Sequence, residues 1–187
     1  MIFSMEVKLP VPNWPKQNPA TMNAFYGNPD ANRDFRPDPA WEAANIVKLT
    51  PPYTLYYPES VHGVIQKRAK TISALRVHKK CKNSLESALR QIKQNFTAQD
   101  IKDYELDLCA GVHVFRLKVG GSTLSIHSWG AAIDLSHLIN GWKKTYDPDP
   151  RKRMMPTKVV DIFDSEGWTW GGLWRNADAM HFQAADI

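Results

Sequence analysis

One ten-residue segment, Ser125-Ile126-His127-Ser128-Trp129-Gly130-Ala131-Ala132-Ile133-Asp134, restricts the fold of this chain more than any other. It sets an imidazole and a carboxylate seven positions apart, and only small or apolar residues separate its last glycine from the carboxylate. A short apolar run of this kind is typical of a buried strand. We therefore predict a strand over residues 130–135 that carries the Asp134 carboxylate into the protein core.

A second cluster of polar residues lies near the C-terminus. Asp178 and His181 stand three positions apart in the segment Asp178-Ala179-Met180-His181-Phe182-Gln183, which we predict to be the last strand. Together the two segments offer two histidines and a carboxylate as possible metal ligands, and a second carboxylate that is free to act as a base. These are the components of a hydrolytic zinc centre, which needs three protein ligands, an open position for water and a base.

The remaining pattern predicts a single α+β domain with a long N-terminal arm. With 187 residues and 43% hydrophobic residues, the chain is long enough for one well-buried core. Nine of its thirteen prolines lie in residues 1–52, which we assign to an extended arm packed on a catalytic domain of residues 53–187. The arm is expected to pack because it also carries several aromatic residues: Trp14, Phe25, Tyr26, Phe35 and Trp41.

Periodicity places the secondary structure of the domain. Apolar residues at spacings of three and four predict a long helix from Ser73 to Phe96. Alternation from Val112 to Arg116 predicts a strand, and Pro156 and Gly167 bracket a second helix. We expect a small, mostly antiparallel sheet flanked by these helices. If Met180 points into the core, a regular last strand would place His181 on the opposite face from Asp178, so we predict a bulge just before His181.

Charge and composition limit the partners and the chemistry expected of this chain. The formal charge of +5 predicts attraction to anionic surfaces. The basic residues are scattered and lack a basic-aromatic recognition motif, so we expect no nucleic-acid partner. No apolar stretch is long enough to insert into a membrane. Cys81 and Cys109 form no Cys-x-x-Cys pair and are expected to be buried free thiols, with a disulfide as the alternative.

The two segments together carry a family resemblance. The pattern Ser125-x-His127-x-x-Gly130-x-Ala132-x-Asp134, followed by Asp178-x-x-His181, resembles the zinc peptidases of the VanY and L-alanyl-D-glutamate endopeptidase group, which includes many phage endolysins. This group belongs to the fold class shared by lysostaphin, the D-alanyl-D-alanine metallopeptidases and hedgehog. The resemblance extends over residues 61–187 and includes the tryptophan-rich run of residues 168–174.

The resemblance implies a role for each residue of the pattern. One zinc ion would be bound by three ligands: His127, Asp134 and His181. Asp178 would be the general base. Arg116 would stabilise the oxyanion or hold a substrate carboxylate. Ser125 would contact substrate or support the metal ligands, and Gln183 would hydrogen-bond behind them. The ligand types alone also allow another divalent ion.

The same resemblance implies a function in bacterial cell-wall degradation. It implies metal-dependent hydrolysis of the L-Ala-D-Glu bond in the peptidoglycan stem peptide, since endolysin-type members carry Asp where carboxypeptidase members carry Glu at the position of Asp178. A D-alanyl-D-alanine carboxypeptidase and a non-catalytic wall-binding or virion protein remain alternatives. We expect a monomer, made in the host cytoplasm without a signal peptide, that reaches the wall after release or export.

The other histidines and the tryptophans have plainer interpretations. We expect four histidines to be structural residues: His62, His78, His113 and His137. His137 follows Asp134 closely but falls outside the family pattern. The tryptophans Trp168, Trp170 and Trp174 are expected to pack in the core and at its rim, or to line a substrate groove.

Overall fold

A computed structural model describes residues 11–187, which form a mixed α+β fold with five helices and eight strands among them. The helices are α1 (Pro19–Tyr26), α2 (Pro39–Asn45), α3 (Lys82–Asn95), α4 (Ala98–Asp103) and α5 (Thr157–Ser165). The strands are β1 (Ile46–Leu49), β2 (Leu55–Val61), β3 (Val64–Ile72), β4 (Leu75–His78), β5 (Cys109–Gly111), β6 (Ala132–Leu135), β7 (Thr169–Gly171) and β8 (Asp178–Gln183). The predicted α+β class with small antiparallel sheets is confirmed.

A four-stranded antiparallel sheet, in the order β5-β6-β8-β7, holds Asp134 in β6 and both Asp178 and His181 in β8. In its central pair, Ile133 lies opposite Phe182 and Asp134 lies opposite His181. Side chains alternate between the two faces of a sheet, so Asp134 and His181 share one face while Ile133 and Phe182 share the other. The second face is the core face, where the Phe182 ring stacks on Phe163 of α5 with centroids 4.1 Å apart.

The long helix begins later than its periodicity predicts. The predicted helix from Ser73 to Phe96 is wrong over its first part, because Leu75 to His78 form β4 and pair with β1. Within β4, Leu75 and Val77 are buried on one face, and Val77 also stands at helical spacing from Cys81. Short apolar runs fit both periods. Pairing with β1 decides in favour of the strand, and α3 starts only after the turn at Cys81.

The predicted strand from Val112 to Arg116 is also wrong. The regular strand β5 ends at Gly111, and the chain then turns into a narrow hairpin in which Leu117 bridges Leu124. The Ser125 amide donates to the Arg116 carbonyl at 2.9 Å, which closes this hairpin. Its tip is the Gly120-Gly121 turn, as predicted.

The described part of the predicted arm, residues 11–52, is called the N-terminal segment and packs closely on the rest of the chain. Trp14 and Tyr26 are buried, and the Tyr26 hydroxyl donates to the Ala184 carbonyl at 2.6 Å. The Trp129 indole donates to the Gly27 carbonyl at 2.9 Å. The segment is more regular than its prolines suggest, because α1 and α2 each begin with a proline in the first turn, where no amide hydrogen is needed.

The division into an arm of residues 1–52 and a domain of residues 53–187 stays a prediction. Its first ten residues lie outside the described part of the chain. Strand β1 falls within the arm but pairs with β4 of the domain, so the two parts share a sheet.

Strands β2 and β3 form a two-stranded antiparallel ribbon, and two ion pairs join the middle of β3 to the segment before β5. Lys67 pairs with the buried carboxylate of Glu105, and Arg68 pairs with the buried carboxylate of Asp107. Both cysteines are free and buried, as predicted. Among residues 11–187, no helix combines the length and the apolar character needed to cross a membrane.

Candidate metal centre

His127 lies in a short 3-10 turn whose geometry depends on a glycine. The turn spans Ile126–Trp129 and ends at Gly130, which adopts a left-handed conformation with φ +65°. A Cβ atom at Gly130 would lie 2.9 Å from the His78 backbone nitrogen and 3.0 Å from Ile46 Cδ1. Only glycine meets both conditions without strain. The sharp turn sends the chain directly from His127 into β6.

The ring of His127 is oriented by a backbone carbonyl. Its Nδ1 lies 2.9 Å from the carbonyl oxygen of Val112, which can only accept a hydrogen bond. Nδ1 therefore carries the proton, and the lone pair is left on Nε2. The ring is buried, and Nε2 points towards Asp134, with 3.2 Å to Oδ2.

His181 is oriented in the same way by Gln183. Period two places both side chains on one face of β8. His181 Nε2 lies 3.1 Å from Gln183 Oε1, so Nε2 donates and the lone pair remains on Nδ1. This Nδ1 lies 2.9 Å from Asp134 Oδ1 and 3.3 Å from His127 Nε2.

The three side chains therefore converge on one point. Candidate ligand atoms of His127, Asp134 and His181 all lie within 4.8 Å of one another, and all three residues are buried. Two neutral imidazole lone pairs facing each other beside a carboxylate are mutually unfavourable unless a proton or a cation lies between them. This donor set fits a zinc ion with one position left open, or a similar divalent ion.

The electrostatics of the cluster agree with a cation site. Burial alone would disfavour the charged form of Asp134, but the imidazoles of His127 and His181 outweigh it and hold the pKa of that carboxyl far below its usual range. Burial likewise disfavours charge on His181, yet its hydrogen bond to Asp134 outweighs burial and leaves the pKa of the imidazole raised. The carboxylate is thus ionised at neutral pH, as a metal ligand must be.

A bulge in β8 sets the position of Asp178. Phe182 pairs with Trp170 of β7, whereas Asp178 pairs with the next residue, Gly171, so three residues of β8 have no partner on β7. The predicted bulge before His181 is therefore present. The residue of β8 that points into the core is Ala179, which is fully buried, and not Met180, which is only half-buried.

Asp178 lies within electrostatic reach of the three candidate ligands. Burial raises the pKa of its carboxyl to about 6, and the charges of His181, Asp134, His127 and Arg116 also act on it. Its Oδ1 is buried and has no hydrogen-bond partner among the described residues. A half-buried carboxyl group with an unpaired oxygen and a pKa of about 6 is suited to exchanging protons.

The other predicted site residues lie on the hairpin beside the centre. Arg116 is exposed, and its backbone amide donates to Ser128 Oγ at 3.1 Å. Its guanidinium donates to the Leu117 carbonyl at 3.2 Å, and its charge opposes the effect of burial on the pKa of Asp178. Ser125 is buried immediately before the His127 turn. The assignment of roles to Arg116, Ser125 and Gln183 stays a prediction.

The four remaining histidines lie outside this cluster of candidate ligands. His78 is fully buried between the Tyr26 carbonyl and the Lys80 amide, 3.1 Å from each. His62 occupies the exposed turn between β2 and β3. His113 lies 3.5 Å from Glu42, and burial lowers its pKa. Burial also lowers the pKa of His137.

The sequence missed one contributor to the site and left the role of a second one open. The Val112 carbonyl that orients His127 is a backbone group, so no residue type signals it. The ring of Trp174 lies 5.6 Å from that of His181 and forms a wall beside it. The tryptophan-rich run drew attention to Trp174, but a run of this kind fits both core packing and a substrate groove.

Comparison with known proteins gives a match to a protein family. A family model described as D-alanyl-D-alanine carboxypeptidase matches residues 119–184, about a third of the chain. The matched segment contains the three candidate ligands together with Asp178 and Gln183, but not Arg116. No curated protein and no solved structure matches the chain. The chain is thus similar, over the segment that carries the candidate metal centre, to a family of peptidases.

Proposed function

We propose that this protein is a zinc-dependent peptidase that hydrolyses the L-Ala-D-Glu bond of the peptidoglycan stem peptide. The observation that carries the proposal is the buried convergence of His127, Asp134 and His181, with Asp178, whose Oδ1 is unpaired, within their electrostatic reach. Similarity to a carboxypeptidase family over residues 119–184 supports the broader class of cell-wall peptidase.

A zinc ion bound by His127 Nε2, His181 Nδ1 and the Asp134 carboxylate would supply Lewis-acid activation of water and of the peptide carbonyl. Asp178 takes the proton of the attacking water on its free Oδ1 and returns it to the leaving amine. A pKa of about 6 lets the group act in both directions near neutral pH.

Arg116 is proposed to act on the substrate from the hairpin beside the site. Its guanidinium is exposed and permanently charged, and it lies within electrostatic reach of Asp178. A donor in that position is able to stabilise the oxyanion that develops on the cleaved carbonyl, or to hold a carboxylate of the stem peptide. Ser125, at the base of the same hairpin, is proposed to line the substrate path.

Two arguments bear on the bond that is cut. The resemblance to endolysin-type enzymes, which carry Asp at the position of Asp178, favours the internal L-Ala-D-Glu bond. It also favours the role of a phage or prophage lysis enzyme. The matching family model favours release of terminal D-alanine, and a D-alanyl-D-alanine carboxypeptidase is therefore the second candidate.

Mass spectrometry of fragments released from purified peptidoglycan tests the proposal. New L-Ala C-termini and D-Glu N-termini are expected with the native protein, and they should disappear with EDTA or with Asp178→Asn. Asp161→Asn, an exposed change on α5, is the matched control and should cleave normally. Free D-alanine would replace the endopeptidase by the carboxypeptidase. Wall binding without cleavage of several wall types would refute both enzymes and favour a binding protein.

A further inference from the structure

The N-terminal segment reaches the candidate metal centre through a chain of two side-chain amides. His181 can present its Nδ1 lone pair only if Nε2 keeps its proton, and Nε2 keeps its proton only if an acceptor faces it. That acceptor is Oε1 of Gln183, at 3.1 Å. The orientation of one amide group therefore decides which nitrogen of His181 is free.

An amide side chain has two ends of opposite character. If the Gln183 amide were turned over, its NH₂ group would face His181 Nε2. The imidazole would then have to accept at Nε2 and carry its proton on Nδ1, where a metal could not bind. Gln183 is fully buried, so no solvent molecule is at hand to compensate for a wrong orientation.

Two acceptors hold the amide in the productive orientation. Gln183 Nε2 donates to the Ala185 carbonyl at 3.1 Å and to Gln17 Oε1 at 3.4 Å. With both amide hydrogens directed at these oxygens, Oε1 is left for His181. Gln17 belongs to the N-terminal segment, 166 positions away in the chain and outside the matched residues 119–184.

The backbone fixes Gln17 at this place. Its amide donates to the Asp186 carbonyl at 2.7 Å, and the Asp186 amide donates to the Pro15 carbonyl at 3.0 Å. These two bonds lay the segment alongside the C-terminal residues that follow β8. The side chain of Gln17 is half-buried and meets the Nε2 end of the Gln183 amide, whereas His181 meets the Oε1 end.

We propose that Gln17 is a positioning residue of the metal centre, which acts through Gln183 to keep His181 in the tautomer that presents Nδ1. The inference rests on the metal centre of the proposed function. It assigns part of that centre to the N-terminal segment and predicts that zinc affinity depends on an oxygen at position 17. A residue there that merely filled space would not need an acceptor.

Three variants separate an acceptor from a space-filler. Gln17→Met keeps the length of the side chain and removes the oxygen, and it should weaken zinc binding about 10-fold, at the low end of the effects of such supporting hydrogen bonds. Gln17→Glu keeps an acceptor and should bind zinc within about twofold of the native protein. Asn13→Met, which changes an exposed amide on the same segment, is the matched control and should bind normally.

The readouts are the zinc dissociation constant, from competition with a chromogenic chelator, and the visible spectrum of the Co²⁺-substituted protein. Melting in EDTA checks that each variant folds. The double variant Gln17→Met/Gln183→Met should bind zinc no more weakly than Gln183→Met alone, because Gln17 is expected to act only through Gln183.

Several results would overturn the inference. One is a zinc affinity of Gln17→Met equal to that of the native protein. Another is an equal loss of zinc affinity in Gln17→Met and Gln17→Glu. A third is a double variant whose loss of zinc affinity equals the sum of the two single losses. If the native protein binds zinc and His181→Ala does not, any of these results refutes only the role of Gln17 and leaves the metal centre unaffected. If His181→Ala binds zinc as tightly as the native protein, the metal centre itself is refuted.

Discussion

Zinc should raise the melting temperature of this protein by a predictable amount. The three candidate ligands lie within 4.8 Å of one another in the folded chain, but the sequence separates His127 from His181 by 54 positions. The folded state therefore offers a complete site and the unfolded state does not. Zinc at 100 times its dissociation constant should stabilise the fold by about 2.7 kcal/mol.

That free energy converts into a temperature shift through the entropy of unfolding. At about 2.1 cal/mol/K per residue, a chain of 187 residues has an unfolding entropy near 0.4 kcal/mol/K. The expected increase is therefore about 7 °C over the EDTA-treated protein. Circular dichroism or differential scanning fluorimetry on metal-stripped protein, with and without added zinc, measures it directly.

Two histidine variants make this assay specific for the site. His181→Ala should lose the zinc-dependent shift, because it removes one of three ligands. His62→Ala, on the exposed turn between β2 and β3, should keep the full shift. Equal melting of the native protein with and without zinc would refute the metal centre, and so would a shift of undiminished size in His181→Ala.

Three further predictions concern single side chains. Asp178→Asn should reduce peptide cleavage by about 10²- to 10⁴-fold in a fragment assay. The same change should also stabilise the metal-free protein by about 1–2 kcal/mol at pH 7 but not near pH 4, because a folded pKa of about 6 makes ionisation of this half-buried carboxyl unfavourable. Denaturant melts at both pH values measure the gain in stability. A gain of equal size at both pH values would contradict the prediction. Burial lowers the pKa of His78 to about 4, so this residue should reduce the stability of the folded state by about 2–3 kcal/mol as the pH falls from 7 to 4. His78→Gln should remove this contribution, and a pH dependence of stability equal to that of the native protein would contradict the assignment. Gly130→Ala should cost about 2 kcal/mol or more, since alanine disfavours a φ of +65° and its Cβ would press on the His78 backbone; native-like melting would contradict it.

The sequence indicated the parts of the site better than the elements around it. Two strands, β6 and β8, carry Asp134 and His181, and both were predicted at nearly their observed positions because short apolar runs between ligand-type residues leave few alternatives. The bulge in β8 followed from the same reasoning, since a regular strand cannot turn Asp178 and His181 towards one point.

The sequence failed where tertiary pairing decided between two local patterns. Val77 fits both a helix with Cys81 and a strand facing β1, and only the partner strand, distant in the chain, favours the second. Beyond Gly111 the alternating residues were predicted to continue a strand. They instead leave the sheet, because the hairpin at Leu117 and Leu124 pairs the chain with itself.

The limits of the family match follow from how the site is supported. The residues that would bind a metal act through side chains and must be of one type, and they lie within residues 119–184. Much of what orients them acts through the backbone and lies outside that segment: the Val112 carbonyl holds the His127 ring, and the His78 amide donates to the Gly130 carbonyl at 2.9 Å. Any residue type supplies a carbonyl or an amide, so a comparison of sequences has nothing to match there. The chain before residue 119 is therefore able to differ in sequence at these supporting positions, except where a side chain such as that of Gln17 makes the contact.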